Sequence, residues 1–518
     1  MTLSRRNFLQ GTAIGLGGAA LAGLVGCAPA SQAEDSGGDV SGKDATTPGS
    51  DNAPKNVTNT IDCDICIVGA GFSGMVSAVQ AAMDGADVVV LEASNTTGGA
   101  SANGVEGSFG ANSKIAKAQG ITIDINEILN SEMDQSQWRA DGLSWYEMMV
   151  NSGDNIDWLM EQGVRIDKVD DYHGKDFQTF HWYEGGIKAG YIDPLTARME
   201  ELGVRIEFSM PASELVTDVS GKVTGVLAEP KSGEWTQVNA DAVILATGGF
   251  GANYELCSNI GYPTDRILSV GSPYDNGSGH DMAVAVGAHD MSDYAADNCG
   301  SIIGSVGFDM GNLGFCMKPQ IPWINDSCER FYREDNCLVN LSLANPPKWN
   351  QRRSFMIWDQ AIQDSITAEM EGFADLLERG LAANEGEFYK ADTLADLANA
   401  VGLDVDELQT FVDEYNAMCV EGVDLIWGKN PEYMVALGSA PYYIAEPINA
   451  MFTTIGGVAT NRQAQAIDKQ HNPIEGLYVV GVEGCMLYRN VYTIGTPGSC
   501  SGNSINTARV AVKHAMGS

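Results

Sequence analysis

Asp64-Ile65-Cys66-Ile67-Val68-Gly69-Ala70-Gly71-Phe72-Ser73-Gly74 opens a stretch that closes on Asp87-Val88-Val89-Val90-Leu91-Glu92. Ile65 to Val68 is a short apolar run suited to a central parallel strand, and Met75 to Met83 carries apolar residues at helical spacing. Gly85 offers the helix a stop, and the second apolar run ends in an acid. Each glycine has a task in such a unit: Gly69 permits the tight turn, Gly71 lets a pyrophosphate approach the backbone, and Gly74 lets the helix pack on the strand. Phe72 and Ser73 complete the turn, and Glu92, 21 residues past Gly71, is placed to accept hydrogen bonds from a ribose. Strand, helix, second strand and terminal acid in this order predict a dinucleotide site at the start of an α/β fold.

The rest of the chain bounds what that site serves. At 518 residues, with 44% apolar and 19% charged residues, the chain can bury a large core. Its 68 acidic against 30 basic residues, a net charge of −38, exclude a nucleic-acid partner, which needs a basic surface. Beyond residue 30 no run reaches the ~18 apolar residues of a membrane-spanning helix. Ser4-Arg5-Arg6-Asn7-Phe8-Leu9 before a glycine-rich apolar stretch resembles a twin-arginine export signal, and Leu24-Val25-Gly26-Cys27 resembles a lipobox. Residues 1–27 then form the signal and 28–58, rich in Ser, Gly, Asp, Pro and Thr, a flexible linker. The expected location is the outer face of the cytoplasmic membrane after twin-arginine export, with lipidated Cys27 as the sole membrane attachment. The ten later cysteines show no metal spacing, and Cys63 and Cys66 fall on a strand that reads as buried, so no metal site is expected.

Further motifs follow in order. Ala93 leads into a second glycine-rich loop, Gly98-Gly99-Ala100-Ser101-Ala102-Asn103-Gly104. Much later come Ala246-Thr247-Gly248-Gly249 at the end of an apolar strand, Asn276-Gly277-Ser278-Gly279-His280-Asp281, and Gly476 to Glu483 as a final strand. Ser501-Gly502-Asn503-Ser504-Ile505 opens the last helix, and Cys328-Glu329-Arg330-Phe331-Tyr332-Arg333-Glu334 is similar to a G-x-R-F-x-x-E stretch. Together these resemble the fumarate reductase and 3-ketosteroid dehydrogenase superfamily of FAD enzymes, from about residue 60 to the end. The resemblance implies an α/β architecture: a Rossmann-like FAD-binding domain in two sequence pieces, 59–292 and 446–518, with an inserted α+β capping domain at 293–445. It carries FAD contacts onto Gly69, Gly71, Phe72, Ser73, Gly74, Glu92, Ala93, Gly98, Gly99, Ala100, Ser101, Asn103, Gly104, Thr247, Gly248, Gly249, Asp281, Glu483, Ser504 and Ile505. Attachment is expected to be non-covalent, because Ser101 to Gly107 holds no histidine. No heme- or FMN-carrying domain is evident, so electrons are expected from an external donor such as a membrane quinol oxidase or a cytochrome.

The departures from that family are as informative. Fumarate reductases of the superfamily clamp two carboxylates with histidines and arginines, and use an arginine as proton donor. Here the donor position falls on Leu338, the histidines on Asn298 and Phe452-Thr453, and the late arginine on Ser499; the segment 299–329 has no arginine. A C4-dicarboxylate substrate is therefore not expected. Gly304, Gly307, Met310, Gly311, Gly314, Phe315, Met317 and Trp323 suggest a loose apolar wall for an aromatic or alicyclic molecule. Ketosteroid dehydrogenases carry a functional tyrosine in the stretch that matches Met486 to Tyr492, within a Y-P-G-P-G sequence that this chain lacks. That partial resemblance implies Tyr492 as proton donor and Arg489 as the orienting or relay residue, with Tyr332, Glu334 and His181 ranked behind them. The first reading is an exported FAD-dependent oxidoreductase that reduces an activated C=C bond of an enone or enoate by hydride transfer from flavin N5. The alternatives are a ketosteroid-type dehydrogenase working in the desaturating direction, and a non-catalytic flavoprotein relaying electrons.

Overall fold

The structure is a computed structural model that describes residues 55–230, 233–338, 341–383 and 386–517. The export signal, Cys27 and the linker up to residue 54 lie outside the described residues. The fingerprint folds as its periodicity predicts: β1 (Val57–Val68), α1 (Phe72–Met83) and β2 (Val88–Glu92). β1 starts before the linker was expected to end. It is longer than its apolar run because the strand Trp235–Leu245 offers a parallel edge along almost its whole length, from Val57 beside Trp235 to Val68 beside Leu245.

In the main sheet, Gln465–Ile467, Pro473–Val479, Trp235–Leu245, β1, β2 and Arg205–Phe208 lie side by side in that order. Trp235–Leu245 serves two neighbours on one edge. Its first half pairs antiparallel with Val223–Ala228, and its second half pairs parallel with Pro473–Val479. This joins the two sequence pieces of the nucleotide fold, and the carboxyl ends of the parallel strands collect Gly69, Glu92, Thr247 and Gly481 at one edge, where open α/β sheets bind ligands.

Helix α1 is buried along Ser73 to Ala81, between the sheet and the C-terminal helix Ser499–Ala515. Met75, Val76 and Val79 are fully buried, each contributing about 1.5–3 kcal/mol of apolar burial. A separate core gathers Phe315, Trp323, Phe355, Trp358, Phe388 and Tyr443 around the four-stranded sheet of Trp323–Asn325, Ser354–Asp359, Tyr442–Ala445 and Phe388–Ala391. Trp358 stacks on Tyr443 at 5.5 Å and 8°. Phe315 and Trp323 are thus spent in this core rather than on an apolar wall, whereas Met310 stays 46% exposed. Residues 394–421 form two helices, Leu394–Val401 and Val405–Glu421.

The two cores meet through a smaller sheet. Ala296–Ile302 pairs antiparallel with Ile448–Ile455, so Asn298 lies opposite Thr453. The chain therefore leaves the nucleotide fold and re-enters it along adjacent strands. Among the described residues no helix is long and apolar enough to cross a membrane.

Candidate active site

The glycines of the first turn are required by space. Gly69 has φ of 101°, and a Cβ there would stand 2.5 Å from the Ala246 carbonyl oxygen. A Cβ on Gly74 would lie 2.0 Å from the Gly69 carbonyl oxygen. Gly71 differs: the nearest atom to its absent Cβ is Gly99 Cα, at 3.9 Å, and no side chain caps the helix it opens. The first amides of α1 are thus left for an anion. Phe72 stacks on Tyr191 at 4.2 Å, whose hydroxyl donates to the Phe72 carbonyl, and buried Ser73 lies against Gly481. Glu92 is 6% exposed and accepts from the Ala70 amide with one oxygen and from the Ser94 amide with the other, both at 2.7 Å. Each oxygen keeps a further lone pair for a ribose hydroxyl.

The second glycine-rich loop sits directly on the first. Gly98 donates its amide to Ala70, and Gly98 and Gly99 take φ of 108° and 55°. Ala93 and Ala100 are half-buried at its start, and Ser101 donates to Gly98. Asn103 donates to the Gly271 carbonyl at 2.7 Å. Gly104 is exposed, with Phe452 3.1 Å from where its Cβ would be.

Across the strand ends, the Thr247 hydroxyl donates to Glu483 Oε2, while Glu483 Oε1 has no partner. Burial pushes this carboxyl up to about 7. Asp275 is 3% exposed and burial likewise pushes it to about 7. The Gly249 and Gly251 amides and the Thr453 hydroxyl surround Asp275, yet neither carboxyl oxygen closes a hydrogen bond of normal geometry. Gly248 makes room for it: a Cβ there would be 2.9 Å from Asp275 Oδ1. Asp281, expected as the contact, is instead exposed and pairs with His280. Its neighbour Asp275 gave no signal in the sequence, because an acid before Asn276-Gly277 reads as a turn former. Ile505 packs under the sheet, so only its backbone is available, and Ser504 Oγ donates to Cys500.

These groups fit FAD. An acceptor buried without a donor costs about 1–3 kcal/mol, and the three orphaned oxygens of Asp275 and Glu483 call for the hydroxyl-rich ligand that the glycine cradle admits. Gly71 and the α1 amides would hold the pyrophosphate, Glu92 the ribose, and Glu483 and Asp275 the polyol side.

The residues expected to do chemistry divide. Tyr488 is buried, with its hydroxyl 2.7 Å from Ser499 Oγ and its ring edge-on to both Trp145 and Tyr492. Tyr492 is half-buried, and burial holds its phenol well above the usual value. Arg489 is half-buried, its guanidinium 4.9 Å from the centre of the exposed Tyr294 ring. Glu334 is sequestered in an ion cluster with Arg330, Asp424 and Lys429. Tyr332 is buried in the second core, and His181 is fully buried between Ser113 and the Thr179 carbonyl, its pKa pushed down to about 4.

Each expected clamp position holds a group that cannot bind a carboxylate through charge. Phe452 packs edge-on to Phe308 at 5.4 Å, beside Gly104. Ser499 is engaged by Tyr488, and the Leu338 carbonyl accepts the Lys175 ammonium. Lys175 was not singled out in the sequence. Neither was Glu132, a 1%-exposed carboxyl whose Oε2 accepts from Thr493, next to Tyr492, and which burial pushes to about 7.

The family model described as FAD binding domain matches residues 64–496. The vinyl phenol reductase of Lactiplantibacillus plantarum is 31% identical over 475 residues, 87% of this chain and 96% of its own. Among solved structures, the open conformation of a flavocytochrome c3 fumarate reductase has a TM-score of 0.69 at 22% identity, over 89% of this chain and 79% of that one. A 3-ketosteroid delta1-dehydrogenase from Sterolibacterium denitrificans, in complex with 1,4-androstadiene-3,17-dione, has a TM-score of 0.71 at 17% identity, over 89% and 100%. The two structural likenesses are likenesses of fold.

Proposed function

The chain belongs to the FAD-binding domain family, and from that premise we propose that it is a reductase of activated C=C bonds in aromatic or alicyclic substrates that lack a pair of carboxylates. The observation that carries this is the rebuilt substrate side: Leu338, Asn298, Phe452, Thr453 and Ser499 stand where a dicarboxylate clamp would need cations, and Phe452 with Phe308 places an aromatic wall beside the Gly104 loop. The likeness to a vinyl phenol reductase supports the same reading. FAD, held without a covalent bond, supplies the hydride chemistry when bound. The chain's own part is to seat the cofactor through Gly71, Glu92, Glu483 and Asp275, to exclude water with apolar side chains, and to supply a proton from Tyr492. Desolvation, which holds its phenol well above the usual value, suits Tyr492 to keep that proton until a strong base forms on the substrate. Electrons come from an external cytochrome or quinol-linked donor, and the chain works after twin-arginine export, anchored through Cys27.

The test is anaerobic reoxidation of the dithionite-reduced holoprotein, followed at the flavin absorbance, against fumarate, urocanate, an aryl acrylate, 4-vinylphenol and an enone steroid. Reoxidation by the aromatic or alicyclic compounds and not by fumarate is expected. Rapid reoxidation by fumarate would defeat the argument from the missing cations.

A further inference from the structure

Lys175 brings a cation to a position whose own side chain has none. Its ammonium donates to the carbonyl of Leu338, the residue on which the superfamily's proton-donating arginine falls. The lysine comes from the loop 171–176 of the nucleotide fold and Leu338 from the inserted region, so the bond spans the seam between them. The loop is built to hold it there. Tyr172, His173 and Gly174 take left-handed φ of 48°, 66° and 81°, a costly state for the first two. The Gly174 amide donates to Asp171 Oδ1 at 2.9 Å and the Tyr172 hydroxyl to Glu106 Oε2 at 2.8 Å, which offsets that strain. The residues that follow Lys175 touch the Tyr492 segment: Phe177 packs in one apolar cluster with Tyr488 and Tyr492, and the absent Cβ of Gly495 would lie 3.7 Å from Asp176 Oδ2.

Lys175, Leu338, Tyr492 and Ile494 are all half-buried, yet burial lowers the pKa of Lys175 and raises that of Tyr492. Side chains that keep accessible surface and still lose bulk water line a cleft, since a core would cover them and an open face would hydrate them. In a chain of net charge −38, Lys175 is in no ion pair among the described residues, and its bond to Leu338 leaves two of its three N–H donors for another group. The neighbouring cations differ. Arg330 and Lys429 are locked with Glu334 and Asp424, and Lys348 is enclosed by Ser301 and the Trp323 ring. A desolvated ammonium that lacks a carboxylate favours an anionic oxygen. Being single, it suits one such oxygen and not a dicarboxylate.

Resting on the reductase reading above, we propose that Lys175 is the oxyanion-binding residue of the substrate cleft, and that the substrate carries one carbonyl group conjugated with its C=C bond. Hydride from the reduced cofactor adds at the β-carbon. The C=C electron pair then forms the bond between the α-carbon and the carbonyl carbon, and the C=O pair moves onto oxygen, where the Lys175 N–H groups stabilise it. The Tyr492 proton goes to the α-carbon, the oxygen pair returns to the C=O bond, and solvent reprotonates the tyrosinate. Lys175 keeps its own proton throughout.

The experiment uses 4-nitrophenol as an oxyanion mimic, because its neutral and ionised forms have different spectra. It is added to the oxidised holoprotein at a pH that keeps it mostly neutral in water. The parent should bind it as the phenolate, with the phenol pKa lowered by about one unit or more, a tenfold preference for the anion. Lys175→Gln should lose that shift while FAD content and melting temperature stay near those of the parent, and Lys175→Arg should keep most of it. Anaerobic reoxidation of the reduced holoprotein by an enone should be about 10²-fold slower in Lys175→Gln. Failure of the parent to bind 4-nitrophenol, or binding in the neutral form, would overturn the proposal even if Lys175→Gln does not fold. So would a folded, FAD-loaded Lys175→Gln that is undiminished in either measurement; Lys175 would then be a tie between the loop and the inserted region. Enone reduction undiminished in Lys175→Gln would leave the reductase reading standing without the oxyanion role. A Lys175-dependent phenolate shift with no reoxidation by any compound would do the reverse.

Discussion

Gly74 leaves no room for a methyl group, since its absent Cβ would sit 2.0 Å from the Gly69 carbonyl oxygen. Gly74→Ala must therefore push α1 off β1. Overpacking of this kind costs about 1–3 kcal/mol, and because α1 also presents its amides to the cofactor, the variant should show both a lower melting temperature and a lower FAD-to-protein ratio. A variant with full FAD occupancy would show that the turn yields without moving the helix. Such glycines are legible in a sequence because steric exclusion acts between neighbours in the chain. Asp275 and Glu132 are not. Each is an ordinary acid in a polar stretch until tertiary contacts bury it, Asp275 against Gly248 and Glu132 against Thr493 and Thr496. The place of Arg489 is equally set by tertiary contacts: the Asn490 amide donates to the Tyr294 carbonyl, and the Arg489 guanidinium lies over the Tyr294 ring.

At the scale of elements, one long side chain of the C-terminal helix reaches two neighbouring helices at once. Arg509 donates to Gln80 on α1 at 2.9 Å and to Asn155 on the helix Gly142–Glu161 at 2.6 Å, with its guanidinium 4.5 Å from the Trp158 ring centre. Arg509→Leu keeps the bulk and leaves two amide oxygens without donors, so a loss of about 2 kcal/mol or more is expected in denaturant unfolding. An unchanged midpoint would mean that the apolar contacts and the bonds from Asn151 and Asn155 to Asn506 hold the three helices without it. Helix α1 was readable because its periodicity is local. The extra residues at the start of β1 were not, since their strand state is dictated by Trp235–Asn239, far away in the chain.

Charge acts on the whole molecule. Burial lifts Glu132, Asp275 and Glu483 to about 7, so the folded chain keeps three protons that the unfolded chain releases near its ordinary carboxyl values. Folding stability from these groups is complete below about pH 4 and falls as pH rises to about 7, by about 1.4 kcal/mol per pH unit for each group. Melting of the FAD-free protein from pH 5 to 8 should therefore show a declining temperature, with a shallower decline in Glu132→Gln; a flat profile would mean that the carboxyls are ionised and solvated. The net charge of −38 also predicts that reduction by a cationic viologen radical slows as salt is added, because attraction is screened beyond about 10 Å at 0.1 M. Salt-independent reduction would place electron arrival at a locally neutral surface.

The order of glycines, short apolar runs and terminal acids by itself determined a nucleotide fold, because strand and helix periods and the steric needs of a tight turn are properties of adjacent residues. The inserted region and the absent cations were legible only through the resemblance to the flavoprotein superfamily, which supplied the positions to compare. Only the tertiary structure decided which of 68 acidic residues lose water. Desolvation depends on what the rest of the chain lays over a carboxyl, and this brought Asp275 and Glu483 to the cofactor edge and set Glu132 beside Tyr492.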